Sequence, residues 1–216
     1  MRKLKESRRP EILDAALTVA AERGLDALSM RAVAQHLGLT PMALYGYFRS
    51  KDELLDGVVG RLLSEIPAPP AGIGWRETLE RMAYGLREVA ARHPAVLPLL
   101  LTRPAISPAA MRIVDITYEA LLAAGIPPQQ APRLERMLST FVIGHTLSEV
   151  SGRFGDGTLD PQARRAQVPA EQIPGHHALA EHLDTPIDWT EEFHADLREL
   201  FDLVESLARP EPSGRT

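Results

Sequence analysis

The feature that most constrains this chain is a pair of helix start signals on either side of a glycine. Ser29 is placed to cap a helix with an apolar stripe over residues 30–37, and Gly38 is placed to end it. Thr40 and Pro41 then combine a capping hydroxyl with a proline at the first helical position, where no amide donor is lost. The spacing predicts two short helices joined by a tight turn, which is the plan of a helix-turn-helix.

Further helices flank this pair. Apolar residues recur at helical spacing after Pro10, which we expect in a first turn, and they predict a first helix that ends at Gly24. Residues 50–53 form a capping box and predict a connecting helix over 51–65. Together these elements predict a three-helix DNA-reading head with its connecting helix over residues 1–66.

The rest of the chain also has helical periodicity, and no segment alternates at period two. Prolines and glycines over 67–74 predict a linker before a body over 75–208. We expect a mobile loop over 155–168 and a disordered tail over 209–216. The predicted body helices are 75–92, 94–101, 108–124, 128–154, a short helix near 175–183, and 188–208. The predicted fold class is therefore all-α, a small helix-turn-helix domain joined to a larger helical domain.

Charge is distributed unevenly between these two parts. Residues 1–51 contain nine Lys/Arg and five Asp/Glu, a balance of +4, whereas the remainder contains 15 basic and 24 acidic residues, a balance of −9. A cationic head on an anionic body directs attraction for phosphate to one end of the molecule. Ordinary surface variation would produce the same imbalance, so the charge supports the helix pattern without replacing it.

Composition excludes several classes of protein. The chain has no cysteine, which excludes disulfides and thiolate metal sites and fits a reducing cytoplasm. No apolar run reaches the roughly 18 residues of a membrane span, and no apolar segment follows the basic N-terminus. We therefore expect a cytoplasmic protein without a membrane partner or a signal peptide.

The outer face of residues 40–47 is free to contact DNA if the inner face packs on the preceding helix. Gly46 allows close approach of the backbone, and the hydroxyls of Tyr45 and Tyr47 can bind phosphates. Arg31 is the best candidate for a base-edge contact, since its forked guanidinium pairs with guanine. The alternative is structural, because glycine turns between helices are common in all-α proteins and both tyrosines would then be core residues.

Six segments carry a family resemblance: Ile12-Leu13-Asp14-Ala15-Ala16, Gly24, Leu28-Ser29-Met30-Arg31-Ala32-Val33-Ala34, Leu37-Gly38-Leu39, Ala43-Leu44-Tyr45-Gly46-Tyr47-Phe48 and Lys51-Asp52-Glu53-Leu54-Leu55. In this order and spacing they resemble the head of the tetracycline-repressor (TetR) family over residues 8–63. The resemblance implies a homodimer that binds a palindromic operator, usually as a repressor, and that is released by a small molecule bound in its body. By position it implies the DNA contacts Ser29, Arg31, Thr40, Met42, Tyr45, Tyr47 and Lys51, to which the helix pattern adds Pro41 and Gly46.

The body resembles that of the tetracycline-binding repressors over residues 93–149. The correspondence includes Thr102-Arg103-Pro104, which is a hinge beside the drug in those repressors, and a histidine-containing apolar segment over 141–147. Their magnesium-binding histidine falls on Leu99, and a leucine cannot bind a hard cation. We therefore expect no metal and no cofactor, and a largely apolar effector in a ligand-binding and dimerisation domain.

Several body residues are candidates for contact with the effector. They are Met82, Leu86, Leu99, Arg103, Pro104, Met111 and His145. Arg103 follows a leucine run, so a ligand contact, an internal salt bridge and solvent exposure are all open to it. His145 lies between apolar residues, where a place in the core or at a dimer seam is the alternative, and methionines at helical spacing are often plain core.

Two long helices, 128–154 and 188–208, have more apolar surface than one monomer needs. Packing against their symmetry mates as a four-helix bundle would bury it. The candidate dimer residues are Leu134, Leu138, Phe141, Val142, Phe193, Leu197, Leu200, Phe201 and Val204. A purely internal core is the alternative.

Two other functional classes are less well supported by the residues. His176, His177 and His182 lack the spacing and acidic partner of a catalytic metal site, and no nucleophile elbow occurs, so we expect no enzyme. A structural DNA-packaging or dimer-scaffold protein would account for the head but not for the large acidic body. The sequence thus predicts a sequence-specific transcription regulator.

Overall fold

The computed structural model describes the backbone of residues 2–152 and 161–208 and the side chains of 8–152 and 162–208. Within these ranges the chain is helical and contains no β-strand, which confirms the all-α fold class. The helices are α1 (Arg2–Arg23), α2 (Met30–His36), α3 (Pro41–Tyr45), α4 (Lys51–Leu63), α5 (Trp75–Arg92), α6 (Leu97–Thr102), α7 (Pro108–Ala123), α8 (Ala131–Val150), α9 (Pro161–Arg165), α10 (Pro174–Ala178), α11 (Ala180–Leu183) and α12 (Trp189–Ala208).

Some predicted boundaries were wrong. The first helix begins at Arg2, so Pro10 lies inside α1 at a solvent-exposed position, where the helix tolerates the one amide it lacks. The helix predicted over 128–154 spans only α8. It begins late because the Pro127 carbonyl accepts the Gln130 amide at 2.8 Å in a separate turn, and Gly152 follows its end with φ +62°.

The segment predicted as a loop over 155–168 contains α9, which begins at a proline in the position that sacrifices no hydrogen bond. The single short helix predicted near 175–183 is divided into α10 and α11 at Leu179. Residues 155–160 of the predicted loop and the predicted tail of residues 209–216 lie outside the described residues.

Three predicted helix caps are present in the head. Each hydroxyl accepts a backbone amide three residues ahead: Ser29 from Ala32 at 3.1 Å, Thr40 from Ala43 at 3.2 Å, and Ser50 from Glu53 at 3.1 Å. These bonds satisfy amides that a helix start otherwise leaves without partners. They confirm the starts of α2, α3 and α4 as the sequence predicts them.

The core of the head continues into the body through α4. Ile12, Leu28, Leu44 and Phe48 are fully buried in the head and belong to the same apolar cluster as body residues such as Val89. One side of α4 packs on α1 and another on α7. The residues over 67–74 form no helix, but they do not separate two independent cores.

A second apolar core lies between α5, α7, α8 and α12. Its fully enclosed members include Leu121, Leu134, Phe193 and Val204. The ring of Phe193 stacks on Phe141 with centroids 5.8 Å apart. The body is therefore a helical bundle with its own interior, next to the core that it shares with the head.

A glycine brings α4 into close contact with the start of α7. A Cβ at Gly60 would lie 2.8 Å from the Cβ of Ser107, the residue that caps α7. No rotation moves a Cβ atom away, so any side chain at residue 60 must displace a helix.

We expect Gly60→Ala to lower the free energy of unfolding by about 1–3 kcal/mol, the usual cost of overpacking a core. Gly57→Ala in the same helix is the matched control. A Cβ at Gly57 would meet the side-chain ends Leu13 Cδ2 at 2.8 Å and Phe48 Cε1 at 3.1 Å, which can shift by rotation where a Cβ cannot, and we expect a smaller loss. Urea unfolding measures both, and equal losses would contradict the proposed role of the Gly60–Ser107 contact.

Candidate DNA interface and effector cavity

The turn between α2 and α3 has the geometry that a helix-turn-helix requires. Gly38 has φ +65°, a left-handed conformation that favours glycine, and the Leu39 amide donates to the Ala34 carbonyl at 2.8 Å. Leu44 on the inner face of α3 is fully buried. The turn and this anchor hold α3 at a fixed angle to α2.

The outer face of α3 is open to solvent. Met42 is 78% exposed and Tyr45 is 48% exposed. Pro41 and Gly46 are also exposed, as is Thr40, whose hydroxyl caps the helix. These five residues lie on or beside the outer face of α3, opposite the buried Leu44. Their contact with DNA stays a prediction.

The other candidate DNA residues lie around α3 in different environments. Arg31 in the first turn of α2 and Lys51 at the start of α4 are exposed. Ser29 is half-buried, and its hydroxyl is already used by the cap. Tyr47 is also half-buried and packs against the head core, so the structural alternative partly applies to it but not to Tyr45.

Arg9 links the three parts of the head and was not identified from the sequence. Its guanidinium donates to the Tyr47 carbonyl at 2.6 Å and to the Glu53 carboxylate at 3.1 Å. It also lies 4.2 Å from the ring centroid of Phe48, a cation–π arrangement. Arg9 thus joins α1, the segment after α3 and the first turn of α4.

Glu53 completes this network. Its second carboxylate oxygen accepts the Arg49 amide at 2.7 Å, and its own amide donates to Ser50 Oγ. The Arg49 amide, with help from Arg9, holds the pKa of Glu53 below its usual value. The capping box indicates Glu53 in the sequence. No local pattern indicates Arg9, because it lies 44 residues away.

A cavity of about 450 Å³ lies in the body. Its walls come from α4, α5, α6, α7, α8 and α12 and from the segment after α6. Most lining side chains are apolar. The polar or charged ones are Arg103, Thr117, Glu135, Arg136 and Ser139. Apolar walls with a few polar groups are typical of small-molecule sites.

Four of the seven candidate effector residues line this cavity: Met82, Leu86, Arg103 and Pro104. Leu99, Met111 and His145 do not. Leu99 is buried in the core shared with the head, and Met111 is 59% exposed on α7. The structure therefore brings the hinge residues and α5 together and leaves the other three elsewhere.

His145 lies in an aromatic cluster. Its ring centroid is 5.7 Å from that of Phe141, 5.2 Å from Trp189 and 5.0 Å from Phe193. Both ring nitrogens are buried without a hydrogen-bond partner. Burial, and secondarily the charge of Arg87, lower the pKa of His145, so the neutral ring is favoured. This environment matches the core alternative for His145.

Arg103 bridges the body and the head. Its guanidinium donates to Asp56 at 2.6 Å and forms a second ion pair with Asp52, both on α4. The side chain is 18% exposed. Of the possibilities that the sequence left open, the internal salt bridge is present. Arg103 also lines the cavity.

Glu135 is the acidic residue of the cavity wall. Burial raises the pKa of Glu135, an effect that the nearby Ser139 hydroxyl and Arg136 partly oppose. Among the described residues, no group of three or more His, Cys, Asp or Glu is placed to hold a metal ion. Over the same residues, no helix is both long and apolar enough to cross a membrane.

The candidate dimer residues do not form an open surface. Seven of them are buried inside the single chain: Leu134, Leu138, Val142, Phe193, Leu197, Phe201 and Val204. Phe141 and Leu200 are half-buried against the same core. A side chain enclosed by its own chain cannot also contact a second copy. The assignment of the seven buried residues to the dimer surface was therefore wrong, because they form the internal core. A dimer role for Phe141 and Leu200 stays a prediction.

Comparison with known proteins gives a consistent result. Residues 12–58 match the model for bacterial regulatory proteins of the tetR family, and residues 66–201 match the tetracyclin repressor-like C-terminal domain. The chain is 34% identical over 163 residues to the HTH-type transcriptional repressor DrrR1 of Streptomyces coeruleorubidus, covering 73% of this chain but only 60% of that relative. It is 31% identical to an HTH-type transcriptional regulator of Saccharopolyspora erythraea, covering 74% and 71% of the two chains.

Solved structures have the same fold. The Streptomyces coelicolor TetR family protein ActR, in complex with actinorhodin, is 27% identical and superposes with a TM-score of 0.80 over 94% of this chain and 98% of that one. The domain matches cover both the head and most of the body. This chain therefore belongs to the TetR family of bacterial regulatory proteins.

Proposed function

We propose that this protein is a sequence-specific transcription regulator that binds a palindromic DNA operator as a homodimer. The observation that carries the proposal is the exposed face of α3, held by the Gly38 turn and the buried Leu44. Such a helix can enter the major groove while its inner face stays in the core. Arg31 and Lys51 place positive charge beside it, on the end of the chain where cations are in excess.

The direction of regulation is proposed from the relatives. DrrR1 is named a transcriptional repressor, so we propose repression that a small effector relieves. The cavity supports the effector, because its apolar lining and volume suit a small organic molecule. ActR binds actinorhodin, which shows that a TetR neighbour holds such a ligand. A DNA-binding dimer without an effector would leave this cavity without a role.

We propose that α8 and α12 still form the dimer contact, through their outward faces. Leu203 on α12 is 41% exposed, and Leu200 and Leu207 lie half-buried on the same side at helical spacing. On α8, a Cβ at Gly144 would meet nothing within 4 Å, which leaves room for a partner helix. Leu200 is among the dimer residues that the sequence predicts, whereas Leu203 and Leu207 are not.

Salt dependence tests DNA binding itself. We expect an operator fragment, selected from random duplexes, to bind more tightly than random DNA, and Lys51→Ala to weaken both and reduce the salt slope by about 1, the loss of one phosphate contact. Fluorescence anisotropy at several salt concentrations measures all of these. Equal affinity of the wild-type protein for the selected and the random DNA would refute the proposal of a sequence-specific regulator.

Arg31 tests sequence reading. We expect Arg31→Ala to reduce discrimination between the operator and single-base variants by about 1–3 kcal/mol at one base pair, because the guanidinium supplies a forked contact. Arg112→Ala, an exposed arginine on α7, is the control and should leave binding unchanged. Full discrimination by the Arg31 variant would remove this residue from the reading surface.

Leu203 tests the dimer. We expect Leu203→Glu to produce monomers with much weaker operator binding, since a charge on a buried apolar seam is costly. Leu122→Glu, at an exposed leucine of α7, is the matched control. Sedimentation velocity reports the assembly state, and a Leu203→Glu dimer would place the interface elsewhere.

A further inference from the structure

Arg103 is part of the cavity wall and also forms ion pairs with α4. It ends α6, lines the cavity, and pairs with Asp52 and Asp56 in the first two turns of α4. The neighbours of Asp52 are Lys51 and Glu53, the proposed phosphate contact and the capping-box acid. A molecule in the cavity can therefore reach, through one guanidinium, the end of α4 that supports the DNA-reading head.

The two carboxylates hold Arg103 unequally. Asp52 is 80% exposed, so water can replace Arg103 around it at little cost, whereas Asp56 is only 22% exposed. Asp56 would be left as a poorly hydrated charge if it lost its partner. The Asp52 pair is therefore the one that a competing anion can displace, while Asp56 keeps Arg103 in place.

The other charged groups of the cavity favour an anion at Arg103. Arg103 and Arg136 place two positive charges in the cavity wall, against the single carboxylate of Glu135. Arg136 is exposed, so its charge is better hydrated than that of Arg103. The guanidinium fork of Arg103 suits the oxygens of a carboxylate or sulfonate.

We propose that the effector is an apolar molecule with one anionic oxygen group, and that this group takes Arg103 from Asp52. The proposal rests on the proposed function, because it names the ligand class of the same cavity. The apolar body occupies the cavity, and the anion ends at Arg103. Loss of the Asp52 pair then loosens the first turn of α4 from the segment after α6, while the pair with Asp56 remains.

Two fluorescent probes with one ring system test this. Both 1-anilinonaphthalene-8-sulfonate and N-phenyl-1-naphthylamine emit strongly in apolar sites, but only the first bears a sulfonate. We expect Arg103→Gln to weaken binding of the sulfonate probe about tenfold or more, the usual effect of losing a charged hydrogen bond. Binding of the neutral probe should be nearly unchanged. Arg112→Gln, at an exposed arginine of α7 that does not line the cavity, is the control and should leave binding of both probes unchanged.

Asp52→Asn gives an independent readout, because it removes the competitor and leaves Arg103 in place. We expect it to tighten binding of the sulfonate probe several-fold and to leave the neutral probe unchanged. We also expect the sulfonate probe, and not the neutral one, to release the selected operator fragment from the wild-type protein. Circular dichroism shows whether each variant keeps its helices.

The outcomes separate this proposal from the proposed function. If the neutral probe binds and the sulfonate is not preferred, or if Arg103→Gln weakens binding of both probes equally, the proposal of an anionic group is refuted. The proposal that the cavity binds an effector then still stands. Failure of both probes to bind overturns the effector cavity as well. Displacement of one probe by the other shows that they share a site.

Discussion

Burial of α4 from two sides is the constraint on which the rest of the structure depends. Seven of its thirteen residues are buried, including Leu54 in the head and Leu62 in the core shared with the body. A helix with apolar contacts on two faces cannot move relative to one partner without disturbing the other. The position of the head relative to the body and the shape of the cavity wall therefore both depend on α4.

The head could be predicted almost completely from the sequence, because its signals are local. A capping hydroxyl and the amide that it accepts lie three residues apart, as for Thr40 and Ala43. The turn is indicated by Gly38 itself, which adopts the left-handed conformation. Arg9 and Arg103 could not be predicted in the same way. Their partners lie 44 and 51 residues away, and only the folded chain brings those groups together.

The error at the dimer surface has a different physical cause. An apolar stripe on a helix shows that the face is buried, but not whether its own chain or a second copy covers it. Here Tyr84 of α5 and Phe141 of α8 lie against the ring of Phe193, so this face of α12 points into its own chain. The cavity could be predicted only in part for a related reason. Met82 and Leu86 share a helix face with core residues and differ from them only in facing an unfilled space, which the sequence pattern does not indicate.

The energies involved explain why an ion pair with a solvent-exposed carboxylate suits a switch at this position. Coupling between two sites typically requires about 1–3 kcal/mol, and an exposed ion pair contributes about 0–1 kcal/mol. Displacing Asp52 alone therefore supplies only part of the coupling. The remainder must come from contacts that shift with the segment over 103–107, where Pro104 and Ala105 line the cavity and Ser107 abuts Gly60. Because that contact leaves no space for a side chain, a small displacement of the segment is transmitted to α4 rather than absorbed.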